Sequence, residues 1–442
     1  MNNDSVALPV PRTRGRTKPA QPRLAGRASA RGRSRTVTLV RERHAPDYAI
    51  LVTVLALAAM GILMVYSSSG LRAYLSQEDS LADVGPQFIW AAIGIVGMVA
   101  AMRLDYRFWR LVSLPMFVAA LVLLLVVLMP GVGTVVGGSA RWLKLGPLPA
   151  IHPAEFAKLA LIVYLAHWLA TRGQRISSVI HGTLPVLLLT APAIVLVLRE
   201  PDLGTASVLA LTALTLFFVA GANLWQFLLL VPAGAAAAAL VVASNAYQLQ
   251  RVLTFLDPWK DAQGDGFHTV QGLLALGLGG VLGEGLGPSG AAAGLVLPNA
   301  SNDFIFAVVG QEFGLIGGLL VIALFVVLAY RGVRVALRAP DTFGGLLAIG
   351  VTAWLSLQAF INMAVVVNLL PVTGITLPFV SDGGSSLTVS FVAVGILLSV
   401  SRETQARGAW NDADPHRRRW FRRSHPAGTG SRPVAARASR RP

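Results

Sequence analysis

Between Tyr48 and Ser401 the chain returns repeatedly to apolar runs of the length an α-helix needs to cross a bilayer. About 20 residues, each rising 1.5 Å, cover a hydrocarbon core roughly 30 Å thick. Inside that core only a helix or a closed barrel satisfies its own backbone polar groups. Hydrophobic residues fill 54% of the 442 positions without counting 44 glycines, and charged residues fill only 13%. A soluble domain carries about 25% charged residues. The fold class expected is therefore an all-α polytopic membrane protein. The chain has no cysteine, which removes disulfides, thiolate metal sites and cysteine nucleophiles from consideration.

Ten spans are expected, near 48–68, 87–102, 110–129, 154–170, 182–198, 203–220, 224–243, 304–329, 343–369 and 385–401. The net charge of +16 lies mainly outside them: residues 1–47 and 402–442 carry eleven Lys/Arg each, out of 37 in all. Both tails are poor in large apolar residues, so they are read as disordered segments flanking a transmembrane domain at 48–401. The positive-inside rule accounts for the tails as cytoplasmic flanks, and nucleic acid is not expected as a partner. No cleavable signal is evident, because the first apolar run begins near Tyr48 behind a basic tail. Arg103, Arg107 and Arg110 fall in one cytoplasmic loop, Arg172 and Arg175 in the next, and Arg331, Arg334 and Arg338 in a third.

The opposite face holds "GGSARWLKLGPLPAIHPAEF" (137–156), "REPDLG" (199–204), a large extracytoplasmic loop between the seventh and eighth spans, and "LLPVTGITLPFVSDGGSS" (369–386). Within the large loop, "TVQGLLALGLGGVLGEGLG" is apolar but studded with glycine, which suits a re-entrant or interfacial segment better than a crossing. Any chemistry is expected on this face. Its glycine-rich pieces match no nucleotide-binding fingerprint in a strand–helix context, and no G-x-S-x-G or H-E-x-x-H motif occurs.

Several residues on this face could carry chemistry. Asp303 stands immediately ahead of an apolar helical run, where an acid either caps the helix or presents a carboxylate at the membrane surface. Glu155 and Lys158 are three residues apart and share a helical face inside a span; a functional pair and a structural ion pair are both open. Asp202 follows Arg199 and Glu200 where the chain re-enters the bilayer, either as a helix N-cap or as the wall of an outward cavity. Arg141, Lys144 and Arg251 are cations where the positive-inside rule does not place them, and they suit either an anionic substrate or lipid headgroups. Ser385, in "SDGGSS", completes the candidate substrate-binding set. Asp257, Asp261 and Asp265 are spaced unlike an EF-hand and read as a turn-rich loop.

Taken in order, "MVYSSS", "GGSARWLKLG", "HPAEFAKL", "EPDLGTA", "YQLQRVLTFLDPW", "GEGLGPS", "NDFIFAVVGQEFGLIGG" and "LLPVTGITLPFVSDGGSS" closely resemble the SEDS family (shape, elongation, division and sporulation), which includes the FtsW and RodA proteins. The resemblance covers roughly residues 48–402. It implies ten transmembrane helices and a peptidoglycan glycosyltransferase of the bacterial cytoplasmic membrane, with both termini cytoplasmic. The substrate implied is lipid II, an undecaprenyl-pyrophosphate disaccharide peptide, polymerised at the outer face. A class B penicillin-binding protein and other divisome or elongasome membrane proteins are the implied partners. The aspartate before "FIFA", here Asp303, is implied as catalytic, and Glu155 and Lys158 as functional positions. A divalent cation, Mg²⁺ or Mn²⁺, is expected, and no nucleotide, haem or flavin. Read as a general base beside a helix dipole, Asp303 is expected to stay ionised and to be a weak base.

The chain departs from the family pattern at "PNASND", where members commonly read P-E-A-H-T-D, at "HPAE" for Q-P-S-E, and at "VSDGG" for V-S-Y-G-G. Asp382 is expected to restore the charge lost at Asn299. Two other functions fit a chain of this kind: a lipid II flippase, for which charged residues in spans would serve transport, and a non-catalytic scaffold for a transpeptidase.

Overall fold

The structure, a computed structural model, describes residues 41–77, 84–136, 139–144, 150–286 and 300–405. The chain is helical almost throughout. Helices α1 (Tyr48–Gln77), α2 (Val84–Arg103) and α3 (Phe108–Val127) are followed by α4 (Pro153–Arg172), α5 (Leu184–Arg199), α6 (Leu203–Val219) and α7 (Leu224–Ser244). Two shorter helices, α8 (Ala246–Leu256) and α9 (Phe267–Gly279), precede α10 (Ile305–Arg338), α11 (Thr342–Val366) and α12 (Gly384–Ser401). Among the described residues nine helical spans are long and apolar enough to cross a membrane, α5 counting with the turn before it from Val179, and α6, at 17 residues, is a shorter apolar helix at the tenth expected position. The remainder of both tails and the segment holding Pro298 and Asn299 lie outside the described residues.

Small residues bring the helices together where no hydrophobic drive from water is available. Gly395 of α12 lies so close to α2 that an added Cβ would stand 2.8 Å from the Ala101 Cβ. Gly350 seats α11 against Ile162 of α4 and Leu216 of α6. The core accordingly centres on α4, α10, α11 and α12, whose inner faces carry Trp354, Phe325 and Phe391, all fully buried.

One end of the bundle is basic. There β1 (Arg41–Arg43) pairs antiparallel with β4 (Glu403–Gln405), so the chain enters and leaves the membrane domain side by side. Asp47 binds the Arg331 guanidinium at 2.7 Å, and Asp341 caps α11 through Gly344 N–H while accepting from Tyr106 Oη–H at 2.7 Å. Arg331, Arg334 and Arg338, expected in a loop, instead occupy the last turns of α10. Arginine is a good helix former and its long stem reaches the interface, so the helix continues past the membrane edge.

The opposite end carries the long connections. The segment after α3 forms a hairpin of β2 (Gly133–Val136) and β3 (Ser139–Leu143) with an irregular register at Thr134/Val135. Leu143 also pairs with Ile151, leading the chain into α4. α9 has 13 residues, about 20 Å of helix, too short to cross and consistent with a segment that enters and turns back. It packs on α10, with Gly272 of α9 against the Phe304 ring. Asp261 accepts from the backbone N–H groups of Gly264 and Asp265, closing the turn-rich stretch expected around it.

Candidate active site

The non-basic end gathers its polar groups around one loop, 367–383. Three of its main-chain carbonyls and one hydroxyl are met by side chains from α8, α11 and α12. Arg251 of α8 donates to the Val372 carbonyl at 3.2 Å. Asn362 of α11 donates from Nδ2 to both the Ile375 carbonyl and the Asp303 carbonyl, each at 2.8 Å. Gln358, one turn earlier, donates to the Thr376 carbonyl at 3.0 Å. The Thr376 hydroxyl meets Ser386 Oγ at 3.1 Å. Asp382 N–H donates to the Ser301 carbonyl at 2.8 Å, which brings the altered "VSDGG" segment onto the altered "PNASND" segment. Position 299, the proposed charge partner of Asp382, lies outside the described residues.

Asp303 sits in the turn that enters α10. It does not cap that helix: Phe304 is the N-cap residue and supplies no side-chain bond. Asp303 Oδ1 is buried with no hydrogen-bond partner among the described residues. Burial pushes its carboxyl above the ordinary carboxylate range, while its own backbone N–H, His268 and Arg251 pull the other way. The helix dipole, expected to keep this carboxyl ionised, does not prevail here. Desolvation outweighs it and makes Asp303 a stronger base than a free carboxylate.

A second group forms around Glu200, Pro201 and Asp202. Arg141 on β3 donates to the Glu200 carbonyl at 2.9 Å and the Pro201 carbonyl at 2.7 Å, and Gln248 of α8 donates to the same Pro201 carbonyl at 3.1 Å. Asp202 caps α6: its carboxylate accepts from Thr205 N–H at 2.9 Å and Thr205 Oγ1–H at 2.8 Å. The buried Glu200 carboxyl is pushed up to about 8, by desolvation first and then by the Asp202 charge, with Arg141 opposing. His152, at the start of α4, is held below its ordinary value mainly by burial. Its backbone N–H donates to Ser385 Oγ at 3.2 Å.

Deeper in the bundle, Lys158 Nζ donates to Glu155 Oε1 at 2.9 Å and to Gln358 Oε1 at 2.7 Å, and stands 5.3 Å from the Trp354 ring centroid. Lys158 is only 2% exposed. Glu155 and Lys158 therefore bear on the loop through Gln358 rather than across open space. Of the other expected residues, Arg141, Asp202, Arg251, Asp303 and Ser385 are all drawn into the polar groups of this end. Lys144 is exposed just past β3, and no contact among the described residues joins it to them.

Sequence reasoning passed over Gln248, Gln358 and Asn362. A signal existed for two of them: Gln358 and Asn362 are amides in the middle of an apolar span, where a polar group is costly. Gln248 and Arg251 share the inward face of α8 at helical spacing.

A bundle of membrane-length helices that gathers buried acids, arginines and amides at one end defines a polytopic membrane protein with a built polar site at that end. The family described as "Cell cycle protein", which takes in FtsW, RodA and SpoVE, matches residues 48–406. The chain is 42% identical over 361 residues to stage V sporulation protein E of Bacillus subtilis, covering 82% of this chain and 98% of that one. It is 41% identical over 355 residues to the "probable peptidoglycan glycosyltransferase FtsW" of Geobacter metallireducens, covering 80% of this chain and 94% of that one. Among solved structures, a chain described under "Structural coordination of polymerization and crosslinking by a peptidoglycan synthase complex" superposes with a TM-score of 0.67 at 29% identity, covering 81% of this chain and 98% of that one. The rod shape determining protein RodA of Thermus thermophilus superposes with a TM-score of 0.60 at 28% identity, covering 81% and 97%. The chain belongs to the FtsW/RodA/SpoVE family.

Proposed function

We propose that this chain is a peptidoglycan glycosyltransferase that polymerises lipid II at the outer face of the bacterial cytoplasmic membrane, with Asp303 as general base. Family membership supports the reaction class, since relatives of similar length carry that activity in their names. The observation that carries the finer reading is the setting of Asp303: a desolvated carboxyl with a buried, unpartnered oxygen, beside Arg251 and His268. The basic end of the bundle faces the cytoplasm in this reading, as the positive-inside rule requires. The Asp303 end then faces outward.

The reaction joins the 4-hydroxyl of one sugar to the anomeric carbon of another and releases polyprenyl pyrophosphate. Asp303 takes the hydroxyl proton in the transition state, and its raised proton affinity suits that task. The Arg251 guanidinium supplies positive charge toward the departing pyrophosphate, and Arg141 lines the neighbouring wall. Asn362 fixes the Asp303 main chain, and Gln358, braced by Glu155 and Lys158, fixes the loop opposite it. Such positioning sets much of the rate. Among the described residues no three His, Asp or Glu side chains gather as a metal site. Any Mg²⁺ or Mn²⁺ would accordingly be held chiefly by the substrate's phosphate oxygens and by water, leaving Asp303 free to take the proton. When bound, the ion would neutralise charge on the leaving pyrophosphate. A crosslinking class B penicillin-binding protein is the partner in this reading, in keeping with the synthase complex that shares the fold.

The test uses purified full chain and Asp303→Asn, each with and without the partner transpeptidase, supplied with lipid II and Mg²⁺ or Mn²⁺. Wild type is expected to yield glycan polymer and the variant none. Equal polymer from both would remove Asp303 as base.

A further inference from the structure

We propose that Glu312, held by Ser67 across the contact between α1 and α10, is a positioning residue for Asp303; this rests on the reading of Asp303 as the base. α10 is not one continuous helix. At Gly314 the backbone leaves helical geometry, with φ 65° and ψ −161°. In an unbroken helix Leu315 and Ile316 would donate to the Gln311 and Glu312 carbonyls. Here they donate instead to Gly280 and Val281, at 2.9 and 3.3 Å. The carbonyls of Gln311 and Glu312 accept from Glu284 N–H and Gly285 N–H, both at 3.0 Å. The segment 280–285 has taken the place of one helical turn. Gly283, with φ +84°, lies so close that an added Cβ would stand 2.7 Å from Gly314 N.

The first nine residues of α10, Ile305 to Phe313, are thus a half-helix whose hydrogen-bond ladder is not continuous with the rest. Asp303 stands just ahead of one end and Glu312 stands at the other, about 13 Å apart at 1.5 Å per residue. Residues 305–312 are all buried, so the half-helix is enclosed. Two side-chain bonds hold its far end: Ser67 Oγ–H donates to Glu312 Oε1, and Gln311 Nε2 donates to Glu284 Oε2 at 3.0 Å. Glu312 is 1% exposed, and its Oε2 has no hydrogen-bond partner among the described residues. A carboxyl enclosed in a span is costly, and simple helix–helix adhesion would be served by an apolar contact. What the Ser67 bond adds is direction. It fixes the rotation of the half-helix, and with it the place of Asp303.

The test uses the full chain in lipid vesicles with lipid II as substrate, alongside hydrogen exchange at the amides of 304–309. Ser67→Ala and Glu312→Ala are expected to lower kcat by about 10- to 100-fold, the cost of a displacement near 1 Å, with KM little changed and exchange faster. Glu312→Gln, whose amide oxygen still accepts from Ser67, is expected to recover most of kcat. The double variant should be no worse than Glu312→Ala alone, since both changes break one device. Should Glu312→Ala fail to fold, Ser67→Ala and Glu312→Gln decide the matter. An unchanged kcat in Ser67→Ala, a loss confined to KM, or a Glu312→Gln as impaired as a folded Glu312→Ala would each overturn the proposal. Failure of the parent reading looks different: Asp303→Asn would then polymerise like wild type, whatever Ser67→Ala does to exchange.

Discussion

Replacing Lys158 by methionine keeps most of the side-chain volume and removes one charge from the middle of the bundle. The consequences follow from its contacts. Glu155 Oε1 loses its 2.9 Å donor while Oε2 already has no hydrogen-bond partner among the described residues, so a carboxylate is left buried without a counter-charge. Gln358 Oε1 loses a 2.7 Å donor but keeps Trp354 Nε1–H at 2.8 Å, so the amide itself stays oriented. The loss is therefore concentrated on Glu155, and stranding one partner of a buried pair costs about 3–5 kcal/mol. Removing both charges behaves otherwise: Glu155→Leu combined with Lys158→Met is expected within about 1 kcal/mol of wild type or above it, because neither ion is then desolvated. Unfolding in mixed micelles of increasing denaturing detergent, followed by tryptophan fluorescence, measures all three proteins on one scale. A single variant less than about 1 kcal/mol below wild type, or a double variant as unstable as the single, would refute the reasoning.

Three further outcomes are expected. Asn362→Ala leaves the Asp303 and Ile375 carbonyls without their 2.8 Å donor, at about 1–3 kcal/mol for each one left unpaired, and lowers kcat more than it raises KM; steady-state polymerisation beside unfolding measures both. Arg251→Ala raises KM for lipid II by about tenfold or more, the worth of a charged hydrogen bond, and Arg251→Lys restores it only in part because the fork that reaches Val372 is lost. Glu200 carries a carboxyl raised to about 8, so the folded state holds a proton that the unfolded chain has released above about 4.5. Its contribution is complete below that lower value and is lost as pH rises towards 8; thermal unfolding from pH 5 to 8 should fall for wild type and stay flatter for Glu200→Gln.

The spans were legible because bilayer thickness imposes a length, and every expected crossing has a helix. Their ends were not, since nothing in a bilayer argument stops α10 before Arg338 once its arginines reach the interface. The β2–β3 hairpin was hidden for a different reason: eleven residues of mixed character carry too little periodicity to separate strand from loop. At the site, residue types spoke and pairings did not. Lys158 and Gln358 are 200 positions apart, and one sequence holds no record of their contact. The cap reading succeeded at Asp202, where the acid directly precedes the helix, and failed at Asp303, one residue too early. Burial, which decides the proton affinity of Asp303, depends on α8, α9 and α11 arriving around it.

The loop at 372–376 is held by its carbonyls, and that has a consequence for which substitutions this end tolerates. Arg251 and Asn362 read the path of the main chain, and Gln358 reads it together with the Thr376 hydroxyl at 3.5 Å. Every amino acid offers the same oxygen there, proline included. Val372 in addition packs its half-buried side chain against the core, while each donor is fixed by reach and fork geometry. The loop's path is thus set from two sides, by donors on α8 and α11 and by Gly374, whose φ of +74° strains any side chain, so a change on either side would shift the segment that shares Asn362 with Asp303.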